Sequence, residues 1–514
     1  MSEQPIFSRS SSVGQQRTRE RLRWYSAYVT MMIAAVVLAA LAIKIPGPFS
    51  IAFAALVITG IAWIVRPIVG MHLTLFFTLF GDYVTIPWFP FTKNFSSRES
   101  ALYVSDKITV SPLLVVIAIA IVSMIIRHFA LHEHPFVFGP LFGPLFALTG
   151  FLAFGFLYGV SRGGDLRVAV FESTGLFVLP IVYLLVSNTC HSPRQYRALL
   201  WSALLAVVGQ SLMSTQYYFA LSAAERDDLE ALGEHGSAVT MNALLVVLGI
   251  AFLFQGATRA RRMLLLGCVI PVAFVYFVSQ RRSAFVGLGA AFIAMAAMLY
   301  WRHRARFWKV LPVVSIVAIG YLGAFWNSTG QLAFPAQAVK TVIDPESISA
   351  SDRGSDLYRV IENYDLNVTI RSSRILGLGF GHEFLQPVPL PDISFFEFYR
   401  YIPHNSILWI WIQAGFLGFV SLLFVLGRAL ALGARKARQI ADHRDFALVL
   451  SSALFVLMYA IYAYVDVAWY ARDTMFLGFC FAVCSNFPLS KDSVGETDVA
   501  DDAQVIDMAP VSRA

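Results

Sequence analysis

The sequence predicts an all-α polytopic membrane protein. Hydrophobic residues make up 57% of the 514 positions and charged residues only 14%, which is far from the balance of a soluble domain. Apolar runs long enough to cross a bilayer recur from one end of the chain to the other. We therefore expect about fourteen transmembrane helices, within a range of roughly twelve to fourteen, at residues 24–43, 50–66, 69–89, 110–126, 137–158, 168–187, 197–220, 237–257, 264–280, 283–300, 310–325, 405–430, 445–467 and 472–487.

These runs divide the chain into five segments. Residues 1–23 form a polar arm rich in serine and arginine, which we expect to be disordered and cytosolic. The first eleven predicted helices occupy residues 24–325, and the last three occupy residues 404–487. Between them lies one large outer loop at 326–403, and an acidic cytosolic tail follows at 488–514. The first apolar run is longer than the core of a usual signal peptide, which predicts an uncleaved anchor.

Lysine and arginine predict the orientation. If both termini are cytosolic, 23 of the 39 Lys and Arg residues fall on the cytosolic side. Six of the other 16 lie in the outer loop, and a loop of that length is translocated largely regardless of its charge. The basic balance therefore indicates membrane orientation and contact with anionic lipid, and we do not expect nucleic acid as a partner.

The outer loop contains features that predict a function. Ser355 to Ile370 can form an amphipathic helix, and Gly377–Gly381 alternates glycines that permit tight turns and close backbone approach. No strand-helix unit surrounds these glycines, so they do not predict a dinucleotide site. Loops this long commonly act as lids or binding elements. The apolar face of the predicted helix comprises Leu357, Val360, Ile361, Leu366 and Val368.

His404-Asn405 stands where the outer loop meets an apolar helix, ahead of a pair of glycines. In a continuous helix, His404 and Gly415 would share a face, with Gly418 about 40° away. Histidine is the side chain most easily poised as a proton acceptor near neutral pH. A structural alternative stays open, in which the pair starts a helix and the glycines permit close helix packing.

Several charges lie where the positive-inside rule disfavours them. Arg281 and Arg282 sit at the outer end of a predicted helix, and arginine offers planar donors for phosphate oxygens. The alternatives are contact with lipid phosphates or pairing with a loop carboxylate.

Arg167 lies in a second outer cluster, and Glu172 follows just inside a predicted membrane span. An ionisable residue there is a candidate site residue, although Glu172 also fits a structural role in neutralising an arginine. Asp82 and Asp466 are similar carboxylates.

Some motifs are missing from the sequence. It has no Asp-x-Asp motif, no helix with a histidine-rich ligand set and no Walker-type phosphate loop. The four cysteines are expected to be reduced thiols. A diphosphate held by arginines fits this set of residues better than one held by a metal, so we expect neither a metal site nor another cofactor.

The motifs resemble those of a known family. One motif is similar to the signature of the O-antigen ligase and Wzy-type polymerase superfamily: His404-Asn405, then nine residues, then Gly415-x-x-Gly418. Arg282 to Val286 resembles a second motif, with valine in place of leucine. Arg281 to Phe285, and the run from Tyr358 through Glu362-Asn363 to the glycines, resemble the exopolysaccharide polymerase branch. Glu172-Ser173-Thr174 departs from the family's frequent Glu-x-Arg.

This resemblance implies a GT-C-like enzyme at the outer face of a bacterial inner membrane, with undecaprenyl-diphosphate-linked glycans as donor and acceptor. In a compatible mechanism, His404 accepts the proton of the attacking hydroxyl, while Arg281 and Arg282 bind the diphosphate. The partners would be membrane lipids, a flippase and a chain-length regulator. The remaining predicted substrate-binding residues are Arg359 and Arg371 at the diphosphate, Asn405 at the histidine or acceptor, Arg167 and Glu172, and Gly415 and Gly418 beside the polyprenyl chain.

Two alternatives to a polymerase stay open. A ligase of the same family would move a finished glycan onto lipid A core. The double arginine and the glycine-rich loop favour a polymerase. The more remote alternative is a flippase for lipid-linked sugars, which would place polar groups near the bilayer midplane and show repeat symmetry. Here the unusual charges gather at the outer surface and in one asymmetric loop, which favours an enzyme over a transporter.

Overall fold

A computed structural model describes residues 47–132, 135–227, 229, 232–234, 236–254, 258–279, 281–328, 331–343, 350–390 and 397–489. The polar arm, the first predicted span at 24–43 and nearly all of the predicted tail lie outside these residues. Within them every regular element is a helix, and there is no β-strand.

The described chain folds into sixteen α-helices and one 3-10 turn, Gln331–Ala333, which precedes α12. The α-helices are α1 (Gly47–Val65), α2 (Pro67–Phe80), α3 (Pro112–Phe129), α4 (Phe142–Ser161), α5 (Leu166–Thr189), α6 (Pro193–Ala220), α7 (Ala223–Asp227), α8 (Ser237–Leu253), α9 (Arg259–Val278), α10 (Arg282–Arg302), α11 (Arg304–Phe325), α12 (Phe334–Ile343), α13 (Ala350–Ser372), α14 (Ser406–Gln439), α15 (His443–Val465) and α16 (Ala471–Asn486).

The predicted fold class is confirmed. Each predicted span after the first coincides with a helix, and ten of the described helices are long and apolar enough to cross a membrane. The helices α2 and α8 are apolar but shorter, and α16 has 16 residues. Whether these three cross the bilayer, and so the total number of spans, stays a prediction.

The core of the bundle is formed by α5, α15 and α16. Most of α15 and almost every side chain of α16 are buried, whereas α11 buries none of its residues. Helix α14 packs between α4 and α15. Aspartates at the N-caps of α5 and α15 accept two backbone N–H bonds each, which fixes where these helices begin.

Helix α14 is not the continuous helix that the spacing predicted. It begins at Ser406, so His404 lies before it, and the backbone at Gly415 (φ 71°, ψ −177°) interrupts it. The prediction that His404 and Gly415 share a helix face is therefore wrong. Only glycine fits at position 415, because a Cβ there would lie 2.2 Å from the carbonyl oxygen of Ile375.

The glycine-rich segment of the outer loop is inserted between helices at this break. Leu378 N–H donates to the Ile412 carbonyl of α14 at 2.7 Å, and Phe380 N–H donates to the Gly155 carbonyl of α4 at 3.2 Å. A Cβ on Gly377 or Gly159 would collide with backbone at 2.3 Å. The alternating glycines therefore allow three backbone segments to touch, as close approach requires.

The predicted loop helix is present as α13, and its apolar positions are not all on its buried side. Leu357 and Val360 are exposed, whereas Leu366 is buried. The buried face of α13 also carries a polar stripe of residues that share one side of the helix. This stripe consists of Tyr358, Glu362, Asp365 and Thr369.

Candidate active site at one end of the bundle

Helix α13 connects the two predicted catalytic positions. Near its N-terminus, Asp356 Oδ1 lies 3.2 Å from Arg282 Nη2, and two turns later Glu362 Oε1 lies 3.1 Å from His404 Nδ1. Six residues separate the two carboxylates, which is about 9 Å along the helix axis. Arg282 and His404 therefore contact α13 within one short stretch, on sides of the helix about 120° apart.

The surroundings of His404 hold its ring in a single orientation. Glu362 Oε2 accepts the backbone N–H of His404 at 3.0 Å, while its other oxygen contacts the ring nitrogen Nδ1. The ring of Tyr358 lies edge-on to the imidazole, with centroids 5.4 Å apart. Glu362 is only 1% exposed, but 25% of the His404 side chain remains accessible. With Nδ1 committed to the carboxylate, the nitrogen available for proton transfer is Nε2.

Asn405 begins α14 and ties it to α13. Its side-chain oxygen accepts the backbone N–H of Leu408 at 3.1 Å, and its amide donates to Asn363 Oδ1 at 2.8 Å. Asn405 is thus the N-cap of α14, and it places His404 next to Glu362. The structural alternative, a helix start, and the functional prediction for His404 are both compatible with this geometry.

The guanidinium groups of Arg282 and Arg359 both contact Asp356. Arg359 Nη1 lies 3.7 Å from the Asp356 oxygen that Arg282 also contacts, and the side chain of Arg282 is 17% exposed. Arg281 is the N-cap residue of α10. The buried Nε atoms of Arg281 and Arg359 have no hydrogen-bond partner among the residues that the structure describes. Buried donors without partners are uncommon in native proteins, and these two are suited to an anionic ligand.

A second connection joins the two predicted catalytic positions through Asp466, the residue that ends α15. Ser283, which follows Arg282, donates to Asp466 Oδ2 at 3.0 Å, and Ser406 Oγ donates to the Asp466 carbonyl at 3.1 Å. Ser406 also accepts the backbone N–H of Ala468 at 2.8 Å. The start of α10, the end of α15 and the start of α14 are therefore fixed to one another beside the site.

A buried ion cluster lies at the same end of the bundle. Arg472 Nη1 contacts Glu234 Oε2 at 3.3 Å and Asp82 Oδ2 at 3.5 Å. Burial opposes ionisation of Asp82, but the Arg472 charge and backbone N–H donors hold its pKa below the usual value. Burial raises the pKa of Glu234 to about 7, against the lowering effect of Arg472. The charge of Arg281 acts on the neighbouring Tyr83, which places this cluster beside the arginines.

Glu172 supports the inserted loop. Its Oε2 accepts the backbone N–H of Gly381 at 2.8 Å, and its Oε1 accepts the Gln413 amide at 3.2 Å. These partners are amides rather than the arginine that the sequence suggested. Arg167 lies at the surface, 3.5 Å from Glu397. Neither residue contacts His404 or Arg282, and their predicted roles at the substrate stay predictions.

Three further predicted residues lie away from the contacts of Asp356 with Arg282 and Arg359. Arg371 is exposed in the last turn of α13, and fifteen residues place it about 22 Å along the axis from Asp356. Gly415 offers no open groove, because the Ile375–Leu376 backbone fills the space beside it. The prediction that Gly415 leaves room for a polyprenyl chain is therefore wrong. At Gly418 the nearest atoms are the Cβ atoms of Ala414 and Phe151.

Sequence reasoning did not assign a role to Glu362, Asp356 or Arg472. Glu362 and Asp356 both lie in the predicted loop helix, and Glu362 belongs to its polar stripe. Polar residues recurring on one side of a helix in an apolar protein would have been the signal for a site-facing surface. Arg472 gave a weaker signal, as one arginine at the start of a short apolar run.

The fold and the site define a multi-pass membrane protein whose polar groups converge at one end of the bundle. Residues 266–423 match a family model described as O-antigen ligase. The match covers about a third of the chain and agrees with the resemblance that the motifs indicated, which is thereby confirmed. The matched stretch contains Arg281, Arg282, the outer loop and His404. Members of this family are glycosyltransferase-like enzymes of the bacterial inner membrane. No curated protein matches the chain.

Proposed function

We propose that the protein is a glycosyltransferase that moves a glycan from undecaprenyl diphosphate to a sugar hydroxyl at the periplasmic face of the inner membrane. The observation that supports this proposal best is the pairing of Arg282 and His404 with opposite ends of one stretch of α13. This pairing brings an arginine, which is suited to bind a diphosphate, and a histidine, which is suited to accept a proton, to the same stretch of helix. A transporter has no evident need for that combination.

The reaction follows from these positions. The acceptor hydroxyl attacks the anomeric carbon of the donor glycan, and His404 Nε2 takes the hydroxyl proton. The bond between that carbon and the diphosphate oxygen breaks, and undecaprenyl diphosphate leaves with the bonding electrons. Arg282, Arg281 and Arg359 stabilise the negative charge that grows on the leaving group. Glu362 is a positioning residue, which stabilises the imidazolium formed on proton transfer.

Within this activity we favour polymerisation of lipid-linked repeat units into exopolysaccharide or O-antigen. The double arginine at Arg281–Arg282 and the glycine-rich segment at Gly377–Gly381 resemble the exopolysaccharide polymerase branch. A ligase that transfers glycan to lipid A core is the second candidate, and the description of the matched family supports it. Loss of a polymerase leaves single repeat units on the carrier, whereas loss of a ligase leaves long chains there.

The test uses purified protein in liposomes with a lipid-linked repeat unit and a metal chelator, with and without lipid A core. Wild type should form polymer without lipid A core. We expect Arg282→Ala to lower turnover by about 10²–10³-fold and His404→Ala by about 10²–10⁴-fold. Arg162→Ala is the matched control, because this exposed arginine contacts Tyr158 away from the site. Ordinary turnover in His404→Ala would contradict the proton-acceptor role, and product only with lipid A core would establish the ligase.

A further inference from the structure

The hydroxyl of Tyr358 is buried beside His404 and has no hydrogen-bond partner among the residues that the structure describes. The residue is 8% exposed, and its ring lies edge-on to the imidazole with centroids 5.4 Å apart. A buried hydroxyl without a partner is uncommon in native proteins. It indicates a ligand group that completes the hydrogen bonding of Tyr358.

Tyr358 lies on the histidine side of α13. It is about 40° around the helix axis from Glu362, the partner of His404. It is about 160° around the axis from Asp356, the partner of Arg282. In the proposed reaction the attacking hydroxyl lies at the histidine, so a ligand on this side of α13 is the acceptor sugar rather than the diphosphate of the donor.

The chemistry around Tyr358 also suits a sugar. Burial raises the pKa of Tyr358, and the neighbouring Glu362 and Tyr399 raise it further. The hydroxyl therefore keeps its proton at neutral pH and is a hydrogen-bond donor. A phosphate at this donor would be repelled by the Glu362 carboxylate, whereas the neutral oxygen of a sugar hydroxyl would not.

A turn at residues 397–401 leads to this position and is held by two helices. Phe398 stacks on Phe171 of α5, with ring centroids 4.5 Å apart. The Tyr401 carbonyl accepts the indole N–H of Trp409 on α14 at 2.9 Å. The turn is therefore a preformed surface next to the start of α14, where the predicted proton acceptor lies.

The turn presents an aromatic ring together with planar polar groups. Tyr399 is half-buried, and its hydroxyl accepts Arg400 Nε at 3.1 Å. Arg400 Nη1 lies 3.4 Å from Glu383 Oε2, and both side chains are about half exposed. Exposed ion pairs contribute little stability, so stability does not account for this group. A sugar offers an apolar ring face and hydroxyls that both donate and accept, which matches an aromatic ring beside a guanidinium and a carboxylate.

We propose that Tyr358 and the turn at 397–401 form the binding site for the acceptor sugar. The sugar ring lies against Tyr399, and its hydroxyls bond to Arg400 and Glu383. Rotation of the Tyr399 side chain, which is fast for a surface residue, gives one sugar hydroxyl access to the buried hydroxyl of Tyr358.

This inference rests on the proposed glycan transfer and divides its substrates between two sides of one helix. The acceptor lies on the His404 side of α13, and the diphosphate of the donor lies on the Arg282 side. The attacking hydroxyl of the bound acceptor is then next to His404 Nε2.

The test measures binding of the free oligosaccharide repeat unit, cleaved from its diphosphate, to the full-length protein in detergent by isothermal titration calorimetry. We expect Tyr358→Phe to weaken binding by about 2–10-fold, as for one neutral hydrogen bond, and Arg400→Ala by at least about 10-fold, as for bonds to a charged group. The unfolding midpoint of Tyr358→Phe should not fall, because the hydroxyl has no partner within the protein.

Two variants serve as matched controls and should bind the oligosaccharide like wild type. Ser452→Ala removes a buried hydroxyl of α15, thirteen residues or about 20 Å along the axis from the end of that helix at Val465. Arg98→Ala removes an exposed arginine that pairs with Asp106 in another loop.

Four results would overturn the inference. They are no binding of the oligosaccharide to wild type, unchanged affinity in Tyr358→Phe and Arg400→Ala, an equal loss of affinity in Arg98→Ala, and a fall in the unfolding midpoint of Tyr358→Phe, which would give the hydroxyl a structural role. If both variants lose affinity as expected but the wild-type protein transfers no glycan in liposomes, the proposed function alone is wrong.

Discussion

At the scale of single residues, the state of His404 depends on a carboxylate that is 42 positions away. An imidazole acts as a directed base when one nitrogen is committed as a donor and the other is left to accept. Glu362 commits Nδ1 through a 3.1 Å contact and is itself almost completely buried. A buried carboxylate also stabilises the positive charge that the ring gains when it accepts a proton.

We therefore predict that Glu362→Gln lowers kcat for glycan transfer by roughly 10²-fold, within the range for general-base catalysis, and leaves the KM for the lipid-linked donor nearly unchanged. The carboxamide keeps the size of the side chain but cannot compensate the imidazolium charge. Steady-state kinetics in liposomes measures both constants. The control is Asp106→Asn, which removes an exposed carboxylate paired with Arg98 at 3.0 Å. An increase in KM with unchanged kcat would show that Glu362 serves binding instead.

At the scale of elements, the site depends on backbone contacts that only glycine permits. The break in α14 at Gly415, the inserted loop and α4 touch through carbonyl and Cα atoms with no space for a Cβ. This contact sets the height of the loop against α14, and the same loop leads on to His404. A change at the break is therefore expected to affect both folding and the site.

We predict that Gly415→Ala lowers the free energy of unfolding by roughly 2–6 kcal/mol. About 1–3 kcal/mol comes from its backbone conformation with φ of 71°, and about 1–3 kcal/mol from overpacking against the Ile375 carbonyl. Gly427→Ala is the control within the same helix, because a Cβ there meets nothing within 4 Å, and a gain of about 0.5–1 kcal/mol is expected. Thermal unfolding midpoints in one detergent measure both, and equal midpoints would disprove the role of Gly415.

The same elements show how far sequence reasoning reaches. The helices and the order of the motifs could be predicted, because apolar run length and residue spacing are local properties. The break at Gly415 could not, since contact with Ile375, 40 residues away, excludes any side chain there. The exposed side of α13 could not be predicted either, because the usual rule places the apolar side of a helix inside the protein. Leu357 and Val360 follow the opposite arrangement.

At the scale of the whole molecule, charge is divided between the two ends of the bundle. The site end gathers Arg282, His404 and the cluster of Arg472 with its carboxylates. At the other end, arginines pack on aromatic rings, as Arg438 does on Trp301 and Arg302 does on Phe446. The arginine-rich end fits the cytosolic side of a membrane, which supports the periplasmic orientation of the site end that we propose.

The carboxylates at the site end make stability depend on pH. Asp82, Glu234 and Asp473 all face the single guanidinium of Arg472, near Tyr83. One positive charge compensates only part of this negative charge, and burial raises the pKa of Glu234 from 4.5 to about 7. The folded state therefore holds the Glu234 proton more tightly than the unfolded chain. This contribution to stability is full below about pH 4.5 and is lost as pH rises through about 7.

We predict that Glu234→Gln, which stays neutral at every pH, gains stability relative to wild type as pH rises from about 5 to about 8. Over this interval Asp82 stays ionised, because its pKa is lowered, and so it adds no slope of its own. Unfolding midpoints of both proteins, measured in one detergent at a fixed heating rate, should diverge around pH 7. Glu225→Gln is the control, since Glu225 is exposed on α7 and its pKa is lowered rather than raised. A constant difference between Glu234→Gln and wild type across this range would mean that Glu234 is ionised throughout, held by Arg472 as a permanent ion pair.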